Sequence, residues 1–101
     1  ETSSAILTRV LSARKKQEQR FSALPILTNT QMGVKEIDTL CPLNDAAQKI
    51  LLQAVNRLGL TARSYHRTIK VARTIADLEG SEGIEVGHIA EALQYRQSID
   101  E

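Results

Sequence analysis

The tract from Asn44 to Gly80, "NDAAQKILLQAVNRLGLTARSYHRTIKVARTIADLEG", carries two helix-length apolar patterns punctuated by glycine. In the first, Ala47, Ile50, Leu51, Ala54, Val55 and Leu58 recur at the spacing that lines one side of a helix. Asn44 stands before it as an N-cap, and Gly59 ends it in the manner of a left-handed C-terminal cap. Thr61 restarts a helix at once. Residues 62–79 then place Tyr65, Ile69, Ala72, Ile75 and Ala76 on one side, with Gly80 as the stop. A joint made of Gly59 and Leu60 alone predicts a sharp bend and intimate packing of the two helices.

The rest of the chain follows the same helical grammar. Ile6, Leu7, Val10, Leu11 and Ala13 recur at helical spacing before the run "RKKQEQR", predicting a helix over residues 4–21 with an anchored first half and a solvated second half. On that reading, Val10→Asp destabilises the domain. Residues 22–33, "SALPILTNTQMG", have no period and form a connection. "VKEIDTL" is a short helix that stops at Cys41, because Pro42 disfavours helical geometry there. "SEGIEV" is a turn, and "GHIAEALQYR" is a last helix with Ile89 and Leu93 inward. Aromatic residues make up only 3% of the chain, so the core is built from aliphatic side chains, the material of helix packing. The fold class expected is all-α: a small bundle of about five helices forming one domain over residues 1–101.

Composition and motifs exclude more than they assign. The net charge of +1 is too balanced to imply non-specific nucleic-acid binding by itself. Cys41 is the single cysteine, so there is no internal disulfide and no cysteine-rich zinc site. With no apolar run near the roughly 18 residues of a membrane span, a soluble cytoplasmic protein is expected. The "ETSS" start, which lacks an initiator methionine, suggests a piece of something longer. Phosphate-cradling "GxxxxGK[ST]", dinucleotide "GxGxxG" and metalloprotease "HExxH" are all missing. His66 and His88 lie on different helices without a cysteine partner nearby, so no metal site is expected. Ser64, His66 and Asp77 share one helix without a nucleophile elbow, so the chain is expected to have no catalytic residue of its own.

The chemistry that stands out is cationic. Around the helix of residues 62–79, Arg63, Arg67, Lys70 and Thr74 fall in one narrow stripe flanked by His66 and Arg73. No acidic residue occurs between 61 and 76, whereas Asp77, Glu79, Glu82 and Glu85 crowd the other end. Positive charge in a first turn opposes the helix dipole at about 0.3–1 kcal/mol per residue, a cost that a docked anion reverses. A solvated polar face is the alternative, with arginine stems covering apolar neighbours.

Residues 40–96, "LCPLNDAAQKILLQAVNRLGLTARSYHRTIKVARTIADLEGSEGIEVGHIAEALQYR", resemble the C-terminal domain of the magnesium-chelatase-like AAA+ ATPases, the ComM-like family. The blocks "ARTIADLEGSE" and "HIAEALQYR" carry the likeness. The resemblance implies a helical lid that follows an N-terminal ATPase core holding ATP and Mg2+. It implies that Arg63, in "LTAR", is the sensor 2 residue that reaches the nucleotide phosphate, with Arg67 as a second contact or as a contact to a neighbouring subunit. It further implies a hexameric ring that processes DNA in natural transformation by branch migration. Thr61 stands where serine is common in the motif, and Thr68 puts a hydroxyl where an apolar residue is expected. Two other readings are an autonomous helical DNA-binding module using Arg14, Lys15, Lys16 and Arg20 with the Arg63 stripe, and the lid of a true magnesium chelatase subunit.

Overall fold

The computed structural model describes residues 2–26 and 28–100, with residue 30 and residues 96–100 described in backbone alone. Among the described residues there are five α-helices: α1 Ser3–Arg20, α2 Val34–Leu40, α3 Asp45–Leu58, α4 Ala62–Glu79 and α5 Val86–Asp100. A 3-10 turn, Asn29–Gln31, interrupts the connection between α1 and α2. The expected all-α bundle is what forms, and the only β feature among the described residues is a bridge between Leu43 and Ile84.

The helix ends form where local chemistry places them. The Asn44 carboxamide accepts from Ala47 N–H at 2.7 Å and the Thr61 hydroxyl from Ser64 N–H at 3.1 Å, each satisfying a donor the first turn leaves over. Gly59 and Gly80 adopt φ values of +65° and +79°, where a Cβ is penalised. Each ends its helix in a Schellman turn, with Leu60 N–H reaching Val55 O and Ser81 N–H reaching Ala76 O. At α2 the capping is by side chain: the Glu36 carboxylate accepts from Gly33 N–H at 2.9 Å.

α4 is the spine. It packs against α1, α2, α5 and the 3-10 turn, while α3 makes its main contact with α5. The expected intimate packing of α3 on α4 is therefore not what the short joint produces. Residues Ala47, Leu51 and Ala54 of α3 join Ile89 and Ala92 of α5 in the core. Phe21, Met32, Ile37, Cys41, Leu60, Ile69, Ala72 and Ile84 complete that single cluster.

α1 reverses the expectation made for it. Its second half is the docked half: Ala13 and Phe21 are buried, and Arg20 and Gln17 bond to other elements. In its first half Ile6, Leu7 and Leu11 are 45%, 57% and 54% exposed, and Val10 is only half-buried. Helical periodicity locates an apolar face but not what covers it. The charged run was misleading because Arg20 has a buried partner far away in sequence, which no local pattern reveals.

Candidate functional site

α4 begins at Ala62 under the Thr61 cap, with no acidic residue in its first turn. Arg63, His66, Arg67, Lys70 and Thr74 line one side of a groove of about 890 Å³ between α4 and the segment Met32–Ile37. The apolar part of the wall comes from Met32, Val34, Ile37, Val71 and Ile75. The stripe expected from helical geometry is thus brought together on one wall. Arg63 and Arg67 are exposed, and among the described residues neither pairs with a carboxylate. Lys70 Nζ donates across the groove to Met32 O at 3.4 Å. His66 Nδ1 lies 2.8 Å from Ala62 O, a geometry in which Nδ1 carries a proton and donates to the carbonyl. Its ring also meets Tyr65 edge-on, with centroids 5.2 Å apart.

Arg73, placed beside the stripe by the sequence, does not belong to it. It is buried, and its guanidinium donates to Glu82 O and Ser81 O, both at 2.9 Å, and pairs with Asp77 at 3.1 Å. Asp77 is the centre of a polar network that local patterns did not indicate. Arg20 grips its carboxylate with two bonds, at 2.9 and 2.7 Å. Asn29 donates to it at 2.9 Å, donates to Thr74 Oγ1 at 3.1 Å, and accepts from Arg20 at 2.8 Å. The Gln17 side chain closes the set by accepting from Asn29 N–H at 2.9 Å. α1, the 3-10 turn and α4 are thereby clasped at one point, and Thr74 carries the clasp to the groove wall.

The ionisation of this cluster follows from burial and pairing. Burial by itself raises the Asp77 carboxyl, but the hydrogen bonds from Arg20 and Asn29 and the charges of Arg20 and Arg73 together hold it below its ordinary value. Burial lowers the Arg73 guanidinium, with the Asp77 charge opposing that shift. Burial pushes the Cys41 thiol up, and its Sγ donates to Met32 Sδ at 3.7 Å, so this cysteine is a packed side chain and a poor nucleophile.

Groups that could have formed other sites are engaged elsewhere. Asp77 is held by two arginines, Ser64 Oγ accepts from the Thr61 hydroxyl at 3.2 Å, and Nδ1 of His66 meets a carbonyl, so no Ser–His–Asp relay is assembled. His88 is buried at the start of α5. Its Nδ1 accepts from Glu85 N–H at 2.9 Å, and its Nε2 lies 3.1 Å from the Glu79 carboxylate. Among the described residues no group of three or more His, Cys, Asp or Glu side chains is placed to hold a metal ion. No helix among them is long and apolar enough to cross a membrane. Thr68 is buried where an apolar residue is expected, and its hydroxyl is satisfied by Ser64 O at 2.8 Å.

The family model described as "Magnesium chelatase, subunit ChlI C-terminal" matches residues 1–96. The chain belongs to this family. As a magnesium chelatase C-terminal domain it is similar to competence protein ComM of Haemophilus influenzae, 43% identical over 99 residues, which cover 98% of this chain and 19% of the relative. It is also similar to the YifB proteins of Salmonella typhimurium and Escherichia coli, 35% and 36% identical over 96 residues, 95% of this chain and 18% of each relative. The chain therefore spans about a fifth of the length of the curated relatives it matches.

Proposed function

We propose that this domain is the helical lid of a magnesium-chelatase-like, ComM-like AAA+ ATPase, with Arg63 as its sensor 2 residue. The observation that carries the reading is Arg63 itself: an exposed guanidinium with no carboxylate partner among the described residues, in the first turn of α4, at the edge of a groove lined by three further basic side chains. The chain contains no phosphate-cradling motif, so the nucleotide is held by an ATPase core elsewhere in a longer polypeptide. The donor set fits a phosphate group. Guanidinium donors are planar and permanently charged, and such groups bind phosphate oxygens in pairs.

When bound, ATP with Mg2+ supplies the phosphoanhydride whose cleavage drives the protein. The part played by this chain is electrostatic. Arg63 meets negative charge at the terminal phosphate, and a donor held ready for charge that grows during reaction stabilises the transition state more than the ground state. Arg67, one turn further along the same wall, is a second contact. The clasp of Asp77, Arg20 and Asn29 keeps α4 fixed against α1, so the lid moves as one body when Arg63 engages. In the longer protein, a ring of subunits would couple that movement to DNA processing. The test is nucleotide discrimination: the wild-type longer protein is expected to bind ATP more tightly than ADP, and Arg63→Ala to bind the two with similar affinity. A preference unchanged by the substitution contradicts the assignment.

A further inference from the structure

His66 differs from the other cations of the groove wall because one of its ring nitrogens is already committed. Nδ1 lies 2.8 Å from Ala62 O, and a carbonyl can only accept, so Nδ1 carries a proton whether the ring is neutral or charged. Tyr65 meets the ring edge-on at 86° and holds it from the side. Among the described residues Nε2 has no hydrogen-bond partner. Side chains on a helix lean toward its N-terminus. The half-buried ring therefore lies back over the first turn of α4, with Arg63 about 4.5 Å of rise and about 60° of rotation away.

A ring fixed in this way has two states toward an anion. When neutral it presents a lone pair at Nε2, which repels a phosphate oxygen; as imidazolium it presents an N–H, which that oxygen accepts. The charged groups that face it are Arg63, Arg67 and Lys70, all on α4. The opposite wall adds no charged side chain, since the Glu36 carboxylate is turned to Gly33 N–H, and further along α4 Asp77 is held by Arg20 and Arg73. Among the described residues no carboxylate lines the groove, so the negative charge that favours the doubly protonated ring is that of a docked anion.

We propose that His66 is a further contact to the terminal phosphate addressed by Arg63, made through Nε2 and only by the doubly protonated ring. A proton from solvent bonds to the Nε2 lone pair, the new N–H donates to a phosphate oxygen, and no bond to phosphorus changes. Binding of the triphosphate thus takes up a proton that binding of the diphosphate does not, and proton and triphosphate each strengthen the binding of the other. The inference rests on the assignment of Arg63 and adds to it a nucleotide preference that depends on pH.

The test is the affinity of the longer protein for the imido analogue of ATP, which is not hydrolysed, and for ADP, at about pH 6 and about pH 8, either side of the ordinary imidazole pKa. Nucleotide phosphates titrate in this range too, and His66→Gln, neutral at both pH values, shows that common effect alone. At the lower pH the wild type is expected to prefer the analogue about tenfold more strongly than His66→Gln does, and at the higher pH the two are expected to agree. His66→Arg, charged throughout, is expected to keep the strong preference at both. Equal preferences in wild type and His66→Gln at both pH values overturn the proposal. So does a preference that His66→Gln lowers equally at both, which would make the ring a packing group. Arg63→Ala in the same assay separates the two claims. If it abolishes the preference while His66→Gln leaves the pH dependence intact, His66 alone is wrongly placed; if the preference survives Arg63→Ala, the phosphate assignment falls and this inference with it.

Discussion

Asp77 has a side chain with no solvent exposure, yet it bears a charge that two arginines and an asparagine address. Asp77→Asn keeps the shape and removes the charge, leaving Arg20 and Arg73 without their counter-ion. Removing one partner of a buried pair costs about 3–5 kcal/mol, so thermal unfolding followed by circular dichroism is expected to show a large fall in melting temperature. The pH dependence has a definite sign. A carboxyl whose folded pKa lies below its unfolded value of about 4 contributes its full stability above that value and loses it as pH falls through the folded pKa. Acid titration of the wild type should therefore erode stability below about pH 4, while Asp77→Asn, already lacking the charge, loses less over the same range. Residue by residue, the helix caps were legible in the sequence because Asn44, Thr61, Gly59 and Gly80 act within a few positions of themselves. Asp77 was not. Its partner Arg20 lies 57 residues away and its partner Asn29 lies 48 away, and each looks like an ordinary polar residue in its own neighbourhood.

α1 separates periodicity from packing at the level of elements. Its apolar residues do mark one face, but the half that docks does so through Ala13, Gln17, Arg20 and Phe21, three of them small or polar. Leu11→Ser should change stability by no more than about 0.5 kcal/mol, because Leu11 is more than half exposed in this chain. Ala13→Leu should cost about 1–3 kcal/mol, since Ala13 is 3% exposed and leucine's three further carbons must be forced into a packed position. Val10, half-buried, falls between these two and no longer stands as the critical position of the helix. Chemical denaturation of the two variants separates the accounts: a larger loss at Leu11 than at Ala13 would mean that the first half of α1 is the docked one. The pairing of α3 with α5 was equally hidden, because loop length constrains where a helix begins and says little about which face it finds. By contrast the cationic stripe of α4 was readable in advance, as it depends only on the 3.6-residue turn of a single helix.

The described residues form one packed body, clasped through Asp77, with a groove along one side of α4. The core joins α2, α3, α4 and α5 with Phe21, the C-cap of α1, and the polar clasp sits at one end of the groove where Thr74 is shared between the two. That arrangement suits a domain that presents Arg63 to a partner group and carries the consequence of the contact to its far side. Position was therefore written in the sequence at the level of the stripe, and the means of holding it was written only in three dimensions. The most direct test of the central claim is the rate of ATP hydrolysis by the longer protein bearing Arg63→Ala, measured beside wild type under saturating nucleotide with binding checked separately. The account predicts a loss of about 10²-fold or more in turnover with ATP still bound, in line with removing a donor aimed at transition-state charge. Turnover equal to wild type would contradict it and leave the basic stripe as a surface for partners alone.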